Sequence, residues 1–241
     1  MTDALQTLAD DGYALVPSAL AAHEIAALLA AAETLPSPPP DDTRGGQRDL
    51  FSLLPAVREL AGHPAVRRWP AAVLGSACFA VRAILFDKTR GANWKVAWHQ
   101  DLTIPTRARV ELRGFGPWSV KAGIPHVQPP AAVLERMLTV RVHLDPCGLE
   151  NGPVRVLPGS HREGKLSPEA IDAWKAKTAP VDTPCPAGGL LLMRPLVLHA
   201  SSPAAEPGHR RVIHLEYAAD PLPGGLEWRE AWGGPRGQQA T

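Results

Sequence analysis

The 241-residue sequence is short of cysteine, of charge imbalance and of long apolar runs, and each shortage excludes something. Its three cysteines, Cys78, Cys147 and Cys185, lie far apart, with no CxxC pair. That excludes a zinc ribbon and a disulfide framework, and points to a reducing compartment. Lys plus Arg number 25 against 24 Asp plus Glu, a net charge of +1, with no basic block. A phosphate-tracking nucleic-acid surface and a polybasic membrane anchor are not expected on that ground. No stretch approaches the ~18 uninterrupted apolar residues of a membrane span. The N-terminus, MTDALQTLADDGYALV, has acidic residues where a signal peptide has its apolar stretch. The expectation is a cytoplasmic protein, monomer or homodimer, acting on a small molecule. With no repeat and no linker, residues 1–241 read as one domain. A chain of this length can bury roughly 70–75% of the surface its unfolded form exposes, so it needs no staples.

What is present changes character along the chain. Residues 3–10 read as a short helix ended by Gly12, and YALVP as a short strand. Ser18 suits the N-cap of an Ala/Leu-rich helix reaching Ala32. Residues 35–49, LPSPPPDDTRGGQRD, read as a mobile loop. Leu53–Leu60 and Pro64–Leu74 read as two further helices, so 1–75 is mainly helical. From residue 76 the pattern turns β-prone: CFAVRAILFD, MLTVRVHLDP, VRVLP, GLLLMRPLVLHAS and RRVIHLEYA read as strands, with Asn151-Gly152 as a hairpin signal. GFGPWSVKAGIPHVQPP, 114–130, reads as a long irregular loop. SPEAIDAWKAK reads as a helix capped by Ser167, with Pro168 in its first turn. Helices first and antiparallel strands later give an α+β chain, mainly β, with a jelly-roll core over about 76–220.

Three segments carry chemistry. In WHQD, His99 and Asp101 stand two apart, and on a strand such residues share a face. The pair is half of a metal site, or a polar strand edge facing water. His199 ends the apolar run PLVLHASS, and Arg210 opens the next strand eleven residues later. Two imidazoles and one carboxylate on one face of a metal leave open positions, the facial triad of non-haem Fe(II) oxygenases. Open positions let a chelating co-substrate and O2 bind side by side. Arg210 can pair bidentately with the far carboxylate of 2-oxoglutarate. Ser201, two residues after His199, can donate to the same carboxylate.

WHQD at 98–101, ENGPVRVLPGSH at 150–161, and His199 followed by Arg210 resemble the phytanoyl-CoA dioxygenase family, a branch of the Fe(II)/2-oxoglutarate dioxygenases. The resemblance runs from GYALVP to about Tyr217. It implies a double-stranded β-helix, a cupin-like jelly roll with N-terminal helices packed against it. It implies iron on His99, Asp101 and His199, 2-oxoglutarate on Arg210, and a turn at Asn151-Gly152 near the site. The implied reaction is hydroxylation of an unactivated C–H of a small organic metabolite by Fe(II), 2-oxoglutarate and O2, releasing succinate and CO2. Halogenation is disfavoured, since a halide needs the coordination site that Asp101 takes. Desaturation, epimerisation and ring closure use the same metal and differ in substrate placement. The 114–130 loop departs from the better-known members, so no fatty acyl-CoA substrate is carried over.

Five further residues are substrate candidates: Lys95, four before His99; Arg82 and Arg141, arginines inside apolar strands; and Trp118 and His126 in the 114–130 loop. Each has a competing structural account: a solvated lysine, an internal salt bridge, or loop packing. His143, His161, His209 and His214 have no ligand company by spacing and read as structural or exposed. A different class of function, a cupin-like isomerase or lyase without 2-oxoglutarate, would keep the histidines and have no use for Arg210. A non-catalytic binding barrel would have no use for an intact triad.

Overall fold

The computed structural model describes residues 1–36 and 46–233. Helix α1 (Thr2–Asp11) ends at Gly12, whose left-handed φ of 83° lets its N–H return to the Leu8 carbonyl. A side chain there would also run into His161, 2.5 Å from the position of a Cβ. Strand β1 (Tyr13–Val16) follows, then α2 (Ala22–Ala32). Ser18 does not cap α2. The Ala19 and Leu20 N–H groups donate instead to the Gly188 carbonyl, so the helix starts at Ala22, and Glu24 reaches back to the Ala21 N–H at 2.7 Å. Most of the loop expected over 35–49 lies outside the described residues, but Gly46–Gln47 forms a short strand β2. The helix expected over Leu53–Leu60 is two, α3 (Leu50–Leu53) and α4 (Pro55–Gly62), parted at Leu54 ahead of Pro55. Helix α5 (Pro64–Leu74) is as expected.

The strands β3 (Phe79–Lys88), β4 (Val96–His99), β5 (Ile104–Pro105), β6 (Trp118–Lys121) and β7 (Ile124–Val127) come next. After α6 (Ala131–Glu135) come β8 (Met137–His143) and β9 (Val154–Leu157). The chain then runs through α7 (Pro168–Lys177), β10 (Val181–Asp182), β11 (Leu190–Met193), β12 (Leu198–Ser201) and β13 (Arg210–Ala218). Two antiparallel sheets form the jelly roll. The larger has the order β1-β11-β8-β13-β3-β2, the smaller β10-β9-β12-β4.

Period-2 alternation divides the strands of the larger sheet between two jobs. Ala83 and Leu85 of β3, Leu138, Val140 and Val142 of β8, and Ile213, Leu215 and Tyr217 of β13 pack into the core under the N-terminal helices. Tyr217 reinforces this by donating to the Ala61 carbonyl of α4 at 2.9 Å. The alternate residues, Arg82, Ile84 and Phe86, Arg141, and Arg210 and His214, line a cavity on the other face.

Three sequence expectations are corrected. Residues 114–130 are not an irregular loop: β6 and β7 form a hairpin that pairs with β5 into a third sheet. Asn151-Gly152 does not make a hairpin. Leu149–Asn151 is a 3-10 turn, Asn151 Oδ1 accepts from the Gly148 N–H, and Gly152 at φ 62° passes the chain from the larger sheet to the smaller. GLLLMRPLVLHAS is two strands in different sheets, broken at a turn where the Val197 N–H donates to the Arg194 carbonyl.

Candidate metal centre

His99 and His199 are cross-strand partners in the β4–β12 pairing. Directly opposed residues share a face, and the two rings stand 4.2 Å apart between centroids. Strand β4 stops at His99, so Asp101 is not on the same strand face as expected. It lies just beyond, where its N–H donates to the Pro195 carbonyl in the turn before β12. The convergence survives. Asp101 Oδ1 is 3.7 Å from His99 Nε2, and Oδ2 is 3.6 Å from His199 Nε2.

The donor set fits a metal ion. His99 Nδ1 lies 2.9 Å from the Ala97 carbonyl and His199 Nδ1 3.0 Å from the Val197 carbonyl. A carbonyl only accepts, so each Nδ1 carries the proton and each Nε2 offers its lone pair. The ligand atoms of His99, Asp101 and His199 lie within 4.8 Å of one another. Burial pushes His199 down to about 4, with the charge of His99 adding to it, so its imidazole is neutral at pH 7 and ready to ligate. Burial alone would raise Asp101. Its neighbours His199, His214, His99 and Arg82 together hold it below the usual carboxylate range.

Gln100, between the ligands, is a structural tie. Its amide donates to the Gly164 and Leu196 carbonyls and accepts from the Leu166 N–H, fixing the segment against two neighbouring loops.

The triad opens on a cavity of about 440 Å³. Arg210 is buried at one part of its wall, its guanidinium donating to the Gly152 carbonyl. Its neighbour Arg211 points out to Asp145, as strand alternation requires. Lys88, opposite Arg210 in the β13–β3 register, is 1% exposed and donates to Ser201 Oγ at 3.3 Å and to the Ser202 carbonyl. Neither Lys88 nor Arg210 makes an ion pair among the described residues. Ser201 lines the same cavity. Lys88 is a residue that sequence reasoning passed over, although it continues the Arg82-Ile84-Phe86 face at period 2.

The remaining candidates divide. Arg82 and Arg141 both line the cavity. Arg82 is paired with Glu216, which meets the salt-bridge account. Arg141 donates to His214 Nδ1 at 3.0 Å, so Nδ1 accepts and the protonated Nε2 faces Glu216 Oε1 at 3.0 Å. His214 is therefore not idle, as its spacing suggested. It lies within ligand range of Asp101 and Glu216, but both its nitrogens are engaged, and it buttresses the site rather than ligating. Its place on the Arg210 face, four residues on, was the signal. Lys95 is exposed and off the cavity wall. Trp118 packs in the apolar cluster behind the hairpin, under Arg109. His126 is buried, with Nδ1 2.9 Å from the Ile124 carbonyl, and faces a smaller void. His143 and His161 are structural, and His209 is an exposed partner of Asp87.

Solved structures share this fold. The non-heme alpha-ketoglutarate-dependent carbocyclase SnoK from nogalamycin biosynthesis aligns over 98% of this chain and 88% of its own, at 16% identity and a TM-score of 0.70. The epimerase SnoN of the same biosynthesis aligns over 97% and 94%, at 20% identity and a TM-score of 0.68. HygX from Streptomyces hygroscopicus, with nickel and 2-oxoglutarate bound, aligns over 90% and 87%, at 16% identity and a TM-score of 0.66. At these identities the likeness is one of fold. No curated protein matches the sequence. The family profile of phytanoyl-CoA dioxygenase (PhyH) matches residues 8–212, most of the chain, and with the ordered ligand segments in place the chain belongs to the phytanoyl-CoA dioxygenase family.

Proposed function

We propose that residues 1–241 act as one domain, an Fe(II)- and 2-oxoglutarate-dependent dioxygenase that hydroxylates an unactivated C–H bond of a small organic molecule. One observation carries the reading. Two imidazoles with their Nδ1 protons tied back to carbonyls two residues earlier present Nε2 lone pairs toward Asp101, in a cavity whose wall includes the buried Arg210, with Lys88 opposite it in the sheet and no carboxylate partner for either among the described residues. His99, Asp101 and His199 would hold the iron. Iron with 2-oxoglutarate and O2 supplies the oxidising power for C–H hydroxylation, releasing succinate and CO2.

The protein's own contributions are binding, orientation and exclusion of water. Arg210 and Lys88 clamp the far carboxylate of 2-oxoglutarate, with the Ser201 hydroxyl beside them. The Arg141–His214–Glu216–Arg82 chain fixes the wall next to Asp101, and its Arg82 helps keep that carboxylate ionised. Ile84, Phe86 and Val96 give the cavity an apolar lining that limits water. SnoK and SnoN carry out ring closure and epimerisation in this fold. Those outcomes differ from hydroxylation in where the substrate lies.

The test is an anaerobic titration of the apoprotein with Fe(II) and then 2-oxoglutarate, watching for the visible metal-to-ligand charge-transfer band. The band is expected. Its absence with iron bound would move the reading to a metal isomerase or lyase. His99→Ala or Asp101→Ala is expected to abolish substrate-dependent succinate release, and full activity in either variant would remove the ligand assignment.

A further inference from the structure

The β6–β7 hairpin closes through Ala122 and Gly123, both at positive φ, 50° and 76°. A two-residue turn with both φ positive matches the right-handed twist of its strands and fixes their register. Lys121 is the last residue of β6, paired with Ile124. The tight turn therefore holds Lys121 against the metal cavity, whose wall it joins. Its Nζ donates to Thr103 Oγ1 at 2.8 Å, and Thr103 lines the same wall two residues past Asp101. An ammonium has three donors, and this hydroxyl is the one hydrogen-bond partner found for it among the described residues. Lys121 makes no ion pair there. Burial and then the nearby charges of Arg82 and Arg48 depress its pKa, outweighing the opposing pull of Asp101 and Glu216, so holding a cation at this place is costly. A clasp between the hairpin and Thr103 could be made by a neutral side chain without that cost.

The charge on the wall points the same way. Five cationic side chains line the cavity, Arg48, Arg82, Lys121, Arg141 and Arg210, against one carboxylate, Asp101. With Lys88, opposite Arg210 in the sheet, they fall into two groups by mutual influence. Lys88, Arg141 and Arg210 feel one another. Lys121 feels Arg82 and Arg48. Asp101 is felt by both groups. Iron(II), Asp101 and a 2-oxoglutarate dianion together carry one net negative charge, which Lys88, Arg141 and Arg210 already exceed. Glu216 is taken up by Arg82 and His214. Nothing in the loaded first group is left to compensate Lys121.

We propose that Lys121, seated on Thr103 in the wall it shares with Arg48 and Arg82, is an anion subsite of the substrate pocket. The substrate then carries a carboxylate or phosphate monoester, held there so that another part of the molecule faces His99, Asp101 and His199. This rests on the reading of the cavity as a 2-oxoglutarate-dependent site and adds the substrate's class to it.

The experiment is calorimetric titration of the protein, loaded with Mn(II) and saturating 2-oxoglutarate, with benzoate, phenyl phosphate and the neutral benzamide. Wild type is expected to bind at least one anion tenfold or more tighter than benzamide, and the preferred anion separates carboxylate from phosphate. Lys121→Gln is expected to lose tenfold or more of that affinity and Lys121→Arg to restore most of it, with 2-oxoglutarate affinity within a factor of two of wild type in both. Benzamide binding as well as the anions, no anion binding, or an unchanged anion affinity in Lys121→Gln would each overturn the subsite. Failure of the underlying reading looks different: 2-oxoglutarate itself would not bind wild type. The Lys121→Gln comparison on the unloaded protein would then still judge the subsite.

Discussion

At the residue scale, Lys88 does the most with the least signal. It is buried between Ser201, the Ser202 carbonyl and the face of Trp94, whose ring centroid is 5.7 Å from Nζ. Burial first, and then the charge of Arg210, push it down to about 8. A carboxylate bound beside it would pull it back up, because an opposite charge favours the ammonium. The sign follows. Below about pH 8 Lys88 is already charged and 2-oxoglutarate affinity is at its fullest. As the pH rises through 8, binding has to take up a proton, and affinity falls by up to tenfold per pH unit. Spectroscopic titration of 2-oxoglutarate between pH 6.5 and 9.5 checks this, and Lys88→Met should flatten the profile. At pH 7 the same variant should weaken 2-oxoglutarate by about 2 kcal/mol, roughly 30-fold, the scale of losing one partner from a buried charged pair. Its Fe(II) affinity should be unchanged, since Lys88 touches none of the three ligands.

At the element scale, the turn after β8 matters more than its length suggests. Gly152 stands at φ 62°, its carbonyl accepts from Arg210, and a Cβ there would lie 2.4 Å from the Ser202 carbonyl oxygen. A left-handed non-glycine residue costs roughly 1–2 kcal/mol before any clash. Gly152→Ala should therefore lower Tm. It should also raise the Kd for 2-oxoglutarate, because both the Arg210 rest and the Ser202 segment under Lys88 must shift. Thermal unfolding and the charge-transfer titration read the two effects separately. If 2-oxoglutarate affinity held while Tm fell, the turn would be structural only. The β4–β12 pairing has the opposite economy: one cross-strand register sets both imidazoles, and a carbonyl two residues before each ligand fixes its tautomer.

At the scale of the whole molecule, helices cover one face of the larger sheet and the cavity occupies the other, so the barrel is closed by core on one side and hollow on the other. Lys88, Arg141 and Arg210 are buried without carboxylate partners among the described residues, a standing cost that an anion relieves. Binding to the native state stabilises it by mass action, about 2.7 kcal/mol at a hundred times Kd. With about 2–4 °C per kcal/mol for a chain of this size, Mn(II) and saturating 2-oxoglutarate should raise Tm by roughly 5–10 °C. Arg210→Ala should remove most of the 2-oxoglutarate part. An equal rise in that variant would place the co-substrate elsewhere. No helix among the described residues is long and apolar enough to cross a membrane.

The sequence by itself determined the alternation of the strands, the Ser167 cap of α7, and the order in which His99, Asp101, His199 and Arg210 arrive. These are local properties: period-2 patterning says which residues share a face, and a cap acts within one turn. It did not say which sheet a strand joins. That is why GLLLMRPLVLHAS read as one piece, why the 114–130 hairpin with Lys121 at its turn went unseen, and why His214 was set aside. Only the tertiary structure decided that His99 faces His199, that Lys88 stands opposite Arg210, and that Glu216 takes up Arg82. The physical reason is that register between distant strands is set by the summed packing of two sheets and their helices, a quantity no short stretch of chain contains.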